Sequence, residues 1–243
     1  MFRRVCLFGL PRCGSQYIAE LIKENSSHKL TDMYEPYTGD SKETDMPLPV
    51  LNQDNHIRME FLDGYVGSNN VQKRLQYIDD ILTKNKLQTP ALLRLFPYHY
   101  LWNSIPSIIQ ELRHHEFEFF IIKRNNLEHH VLSYLIAQAT NQWRTTSSAV
   151  IHSVKIDSIY FESIDYIIGN STNFLNYCKQ INISGHVITY ENAKEDLEKI
   201  YNKSFKDQNI IKKQGLNNPY DQIVNATEIK HLIDNSIKRY VTS

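Results

Sequence analysis

Residues 5–8, Val-Cys-Leu-Phe, form an unbroken apolar run that stops at Gly9, and a helical pattern takes over near Ser15. A run with no alternation reads as a strand covered on both faces, which places it inside a parallel sheet layered between helices. Tyr17, Ile18, Leu21 and Ile22 then line one side of a helix. The same alternation returns further on. Ala91 to Phe96 reads as a second strand, followed by a helix from about Ser107 to His114. Phe117 to Ile122 reads as a third strand, and Leu127, Val131, Leu132, Leu135 and Ile136 mark the helix after it. A helical stretch lies within residues 157–180, and His186 to Tyr190 is the fourth strand. Leu197, Ile200 and Tyr201 define the helix that follows, and a last helix spans about Glu228 to Arg239. The pattern predicts an α/β fold, a three-layer sandwich around a central, mostly parallel sheet with right-handed crossovers.

At ~150 residues per domain, 243 residues fit one large domain, here 1–243, with an elaboration. That elaboration falls around residues 36–90: a Pro-, Gly-, Asp- and Asn-rich loop or lid over 36–70, then a helix over Val71 to Leu82. Twenty-seven Lys and Arg balance 27 Asp and Glu, which argues against nucleic acid or an anionic membrane as the main partner, so any anion site must be local. No apolar run reaches the ~18–20 residues of a membrane span. The run behind Arg3 and Arg4 ends at Pro11-Arg12, too short for a signal peptide core. Three sparse cysteines without a CxxC pair fit reduced thiols in a cytoplasmic protein. Oligomeric state is not legible, and a homodimer stays open.

The strongest local signal is Phe8-Gly-Leu-Pro-Arg-Cys-Gly-Ser-Gln-Tyr17, between the first strand and the first helix. A loop there can aim backbone N–H groups at an anion, with the positive end of the helix dipole behind them. Gly9 and Gly14 keep the glycine spacing of GxxxxGK[ST], but Ser15-Gln16 stands where Lys-Ser/Thr would be. The phosphate-gripping lysine and the magnesium-binding hydroxyl are therefore missing, and the cation has moved inside the loop as Arg12. Cleavage of nucleoside triphosphates needs both absent groups; binding one sulfated or phosphorylated 5′ group without a metal does not. The alternative is an ordinary strand–turn–helix corner.

The second signal is Phe119-Phe-Ile-Ile-Lys-Arg-Asn-Asn-Leu-Glu-His-His-Val-Leu-Ser133. A parallel strand delivers Arg124 to its carboxyl end, where ligands of open α/β sheets bind. Ser133 follows in the next helix, where its hydroxyl can share an anion with the guanidinium. The alternative is that Lys123 and Arg124 solvate a strand end and Ser133 is a small packing residue.

Together the two stretches resemble the sulfotransferases that use 3′-phosphoadenosine 5′-phosphosulfate (PAPS). Leu10-Pro-Arg-Cys-Gly-Ser15 is similar to that family's 5′-phosphosulfate loop, PRSGT or PKSGT. Arg124 with Ser133 is similar to its 3′-phosphate motif, and Val187-Ile-Thr-Tyr-Glu191 to its late strand ending in Tyr-Glu. The Arg-to-Ser interval is nearest in pattern to the bacterial trehalose-type branch. Cys13 replaces the usual Ser, Ser15-Gln16 replaces Thr-Thr, and Asn126 or its neighbour replaces the Pro or Asp often found after the Arg. The resemblance implies a P-loop-NTPase-like fold and transfer of a sulfuryl group from PAPS to a hydroxyl of a small molecule or carbohydrate, with 3′,5′-adenosine bisphosphate (PAP) as product and no metal.

The resemblance also assigns roles. Backbone N–H groups from Cys13 through Gly14 and Ser15 to Gln16 hold the 5′-phosphosulfate, and Arg12 sits on the oxygen bridging phosphorus and sulfur. Arg124 and Ser133 grip the 3′-phosphate. Glu35 in Tyr34-Glu-Pro-Tyr37 matches the position of the trehalose-type base; its alternative is a turn carboxylate ahead of Pro36. His99, just past the second strand, is the rival base, with a structural histidine as its alternative. The doublets His114-His115 and His129-His130 lack partners at metal-ligand spacing. Two other functions stay open: a degenerate P-loop phosphotransferase, and a catalytically silent nucleotide-binding module.

Overall fold

The computed structural model describes residues 4–26, 31–32, 48–51, 57–60, 91–97, 105–140, 153–206 and 219–241. The strands are β1 (Arg4–Gly9), β2 (Thr31–Asp32), β3 (Leu48–Leu51), β4 (Ile57–Glu60), β5 (Ala91–Leu95), β6 (Glu118–Lys123) and β7 (His186–Thr189). The α-helices are α1 (Ser15–Asn25), α2 (Ile105–His114), α3 (Leu127–Thr140), α4 (Glu162–Gln180), α5 (Ala193–Tyr201) and α6 (Ala226–Val241). The predicted helix over Val71 to Leu82, Glu35 and His99 lie outside the described residues.

The central sheet has the order β2-β5-β1-β6-β7, and every pairing in it is parallel. Its four longer strands are those read from the sequence; the edge strand β2 has only two residues. Period-two geometry sends Val5 and Leu7 to one face of β1 and Cys6 and Phe8 to the other, and all four are fully buried. One core joins Cys6 and Phe8 to Leu93, Leu95, Phe119 and Ile121 beneath α2 and α4. Phe8 stacks on Phe174 of α4 with ring centroids 5.4 Å apart. The opposite core joins Val5, Leu7, Leu92, Phe120, Ile122 and Ile188 to α1 and α5. Helices on both faces make three layers, and each fully buried aliphatic or aromatic side chain contributes about 1.5–3 kcal/mol. A third, all-helical core packs α3 on α4 and α6 through residues such as Leu132, Leu135, Ile164, Ile168, Ile229 and Ile233.

Within the stretch read as a loop or lid, β3 and β4 pair antiparallel, Leu48 opposite Glu60 and Leu51 opposite Ile57. Among the described residues, no helix is long and apolar enough to cross a membrane.

Candidate functional site

Gly9 pairs with Ile122 at the carboxyl ends of β1 and β6, so the Leu10–Gly14 loop and Lys123-Arg124 emerge side by side. The connection after β1 leads to the β2 edge of the sheet and the one after β6 leads to β7. Helix α1 covers one face and α4 the other. The chain thus diverges between β1 and β6, where a crevice outside the strand ends receives ligands in open parallel sheets.

The loop is tight. The Cys13 N–H donates to the Leu10 carbonyl at 3.2 Å, which leaves the Gly14, Ser15 and Gln16 N–H groups as the remaining donors of those expected to hold an anion. Gly14 is the N-cap of α1 with φ +92°, and no side chain caps that helix start. A Cβ on Gly14 would stand 2.0 Å from Cδ2 of Tyr190, so glycine is required there by both backbone and space. Cys13 is buried, and a Cβ on Gly9 would meet its Sγ at 2.7 Å; Cys13 therefore fills a gap beneath the loop. Ser15 is half-buried and Gln16 exposed.

Arg12 bends back over β6 and α3. Its Nε donates to Ser133 Oγ at 3.1 Å, while Nη1 of Arg124 donates to the Arg12 carbonyl at 3.4 Å. The Arg124 guanidinium lies 4.7 Å from the centroid of the Tyr190 ring, which meets Tyr17 edge-on at 5.9 Å. Arg12, expected at the 5′ end, and Arg124 with Ser133, expected together at the 3′-phosphate, form one contiguous cluster in which Ser133 is bonded to Arg12. Burial lowers the pKa of both arginines, and the charge of Arg124 lowers that of Arg12 further. Nε of Arg124 is buried with no acceptor among the described residues, an arrangement that costs roughly 1–3 kcal/mol.

Residues beyond the sequence-read set complete the frame. Glu191, just past β7, accepts from the N–H groups of Asn125 at 3.1 Å and Asn126 at 3.0 Å. Burial opposes its charge, but those two bonds, its own backbone N–H and the charge of Arg124 together outweigh it and hold its pKa below the usual carboxylate range. Asn126 caps α3 by accepting from the His129 N–H at 2.9 Å. His130 is buried; its Nε2 lies 2.7 Å from the Pro11 carbonyl and its Nδ1 lies 3.1 Å from Ser171 Oγ. A carbonyl can only accept, so Nε2 carries the proton and Nδ1 accepts from the serine. Burial pulls the His130 pKa down to about 4. Beside Arg124, a cavity of about 210 Å³ opens between β6, α3 and α4, with Leu10, Lys123, Asn125, Leu127, Phe174 and Leu175 in its walls.

Tyr190 and Glu191 were visible as the Tyr-Glu end of a strand, whereas His130 showed only as half of a doublet. The doublets split as helical geometry requires, with His115 and His130 buried, His114 exposed and His129 half-buried. Among the described residues, no three His, Cys, Asp or Glu side chains gather as a metal site.

No family model and no curated protein matches this chain.

Proposed function

We propose that this protein is a sulfotransferase that moves a sulfuryl group from PAPS to a hydroxyl of a small molecule or glycan. The observation that carries the reading is the convergence of Arg12, Arg124 and Ser133 beside an uncapped helix start, where β1 and β6 diverge. Two half-buried guanidiniums that repel one another, one with an orphaned Nε, fit a ligand bearing more than one anionic group. The glycine loop joining a central strand to the first helix supports a P-loop-NTPase-like reading of the fold.

PAPS supplies the sulfuryl group, so a new sulfur–oxygen bond to the acceptor replaces the bond between sulfur and the 5′-phosphate oxygen, with PAP as the other product. Arg12 and the N–H groups of Gly14, Ser15 and Gln16 hold the 5′ end, and Arg12 neutralises charge growing on the departing oxygen. Arg124 grips the 3′-phosphate, with Ser133 fixing the Arg12 side chain beside it. Glu35, or His99 in its place, takes the acceptor's proton.

Isothermal titration tests the donor site: clear preference for PAP over 5′-AMP is expected, and equal affinity rejects it. Transfer from radiolabelled PAPS across an acceptor panel tests the activity. Binding without any transfer marks a silent module, and magnesium-dependent turnover of ATP marks a phosphotransferase.

A further inference from the structure

Four non-glycine residues among those described have positive φ: Arg12, Glu116, Asn182 and Asn202. Three of them close helices. Glu116 and Asn182 lie just past α2 and α4, where following N–H groups fold back onto the last helical carbonyls, and Asn202 is the C-cap of α5. Such ends favour the left-handed conformation. Arg12, at φ +65°, has no helix behind it. A residue with a side chain stays there only when its surroundings impose it.

The Cys13 N–H to Leu10 carbonyl bond closes a turn with Pro11 and Arg12 at its centre, where positive φ at the third position is common, and further groups from residues 124–133 hold that turn. Arg124 donates to the Arg12 carbonyl, Ser133 accepts from its Nε, and His130 holds the carbonyl of Pro11, the peptide entering Arg12. His130 and Ser133 are three apart on α3 and therefore share a face. Ser171 of α4 fixes the imidazole from behind through Nδ1, so the ring presents a proton to Pro11 and nothing else. The ring is buried, with only its edge in the wall of the cavity beside Arg124.

We infer that His130 is a positioning residue, which sets the anion loop by locking the Pro11 peptide and thereby steadies the turn that carries Arg12 in its left-handed conformation. The inference rests on the sulfotransferase reading for the identity of the ligand, and on the loop geometry alone for the anchor. Burial keeps His130 uncharged at neutral pH, so the anchor is a constant one.

The test compares the full chain with His130→Leu and His130→Gln. Glutamine can place an N–H donor where Nε2 stood, whereas leucine cannot. Two quantities are read: hydrogen exchange of the amides of residues 12–16, and PAP affinity by titration. In His130→Leu, exchange in the loop is expected to accelerate and PAP affinity to fall about tenfold, the loss set by one buried hydrogen bond and the misplacement it allows. His130→Gln is expected to recover most of both. A folded His130→Leu protein with unchanged loop exchange and unchanged PAP affinity overturns the inference and leaves the sulfotransferase reading standing. A wild type that does not prefer PAP over 5′-AMP overturns that reading, while the exchange data still decide the anchor. Should His130→Leu fail to fold, Ser171→Ala strips the support from Nδ1; a smaller shift in the same direction supports the anchor, and none overturns it.

Discussion

Gly14→Ala is the sharpest probe of how the loop is packed. Two costs arise, and they are separable. At φ +92° an alanine is strained by roughly 1 kcal/mol relative to glycine. Its Cβ would also lie 2.0, 2.5 and 2.9 Å from Cδ2, Cε2 and Cγ of Tyr190, where ordinary carbon contacts need about 3.5–4 Å. The ring must shift by about 1.5 Å, the difference between those separations. That shift breaks its stack with Arg124, worth roughly 0.5–1 kcal/mol, together with part of its packing. The expected total is about 2–4 kcal/mol, a large fraction of the roughly 5–15 kcal/mol that holds a domain folded. Denaturant titration of wild type, Gly14→Ala, Tyr190→Ala and the double variant closes a thermodynamic cycle. In the Tyr190→Ala background, Gly14→Ala should cost only the backbone share of about 1 kcal/mol. An equal cost in both backgrounds would refute the steric account and leave backbone strain as the whole effect.

Other outcomes follow from the same geometry. His130 has a folded pKa of about 4 against an ordinary 6.5, so the unfolded chain binds its proton first and stability falls as pH drops from 6.5 toward 4. The loss approaches about 3 kcal/mol; thermal melts across that window should flatten in His130→Gln, and an unchanged slope contradicts the assignment. Arg12→Ala should lower the turnover of PAPS by about 100- to 1000-fold while sparing much of the PAP affinity. Arg124→Ala should mainly weaken PAP binding, by about 10- to 100-fold, as measured by titration. Glu35→Gln should abolish turnover without changing PAP affinity, and wild-type rates in that variant remove Glu35 as the base.

The sheet was legible because β1 and β6 are apolar without alternation, a pattern that only a doubly covered strand tolerates. Helix bounds moved by a residue or a few, as with α2 beginning at Ile105 rather than near Ser107. The β3–β4 pair escaped notice because each strand has four residues and Pro49 interrupts the first, a residue that ordinarily argues against a strand. The loop arginine and the strand-end arginine were legible as residue types at recognised places. Their contact was not, since 112 residues separate Arg12 from Arg124 and only the pairing of β1 with β6 joins them. Ser133 was read as a ligand group; its partner is Arg12, 121 residues away. His130 showed as half of a doublet, but its role left no signal because a buried imidazole bound to a main-chain carbonyl has no spacing rule.

The central position of β1 has a consequence for how the chain is made. Both of its edges are claimed by strands synthesised much later, β5 and β6. Until Lys123 has left the ribosome, Val5-Cys-Leu-Phe cannot satisfy its backbone on both sides, and it stays a sticky template for other nascent chains. Attendance by a chaperone over that interval suits such a topology. The two arginines can meet only once β6 lies beside β1, because no half-made intermediate brings them together.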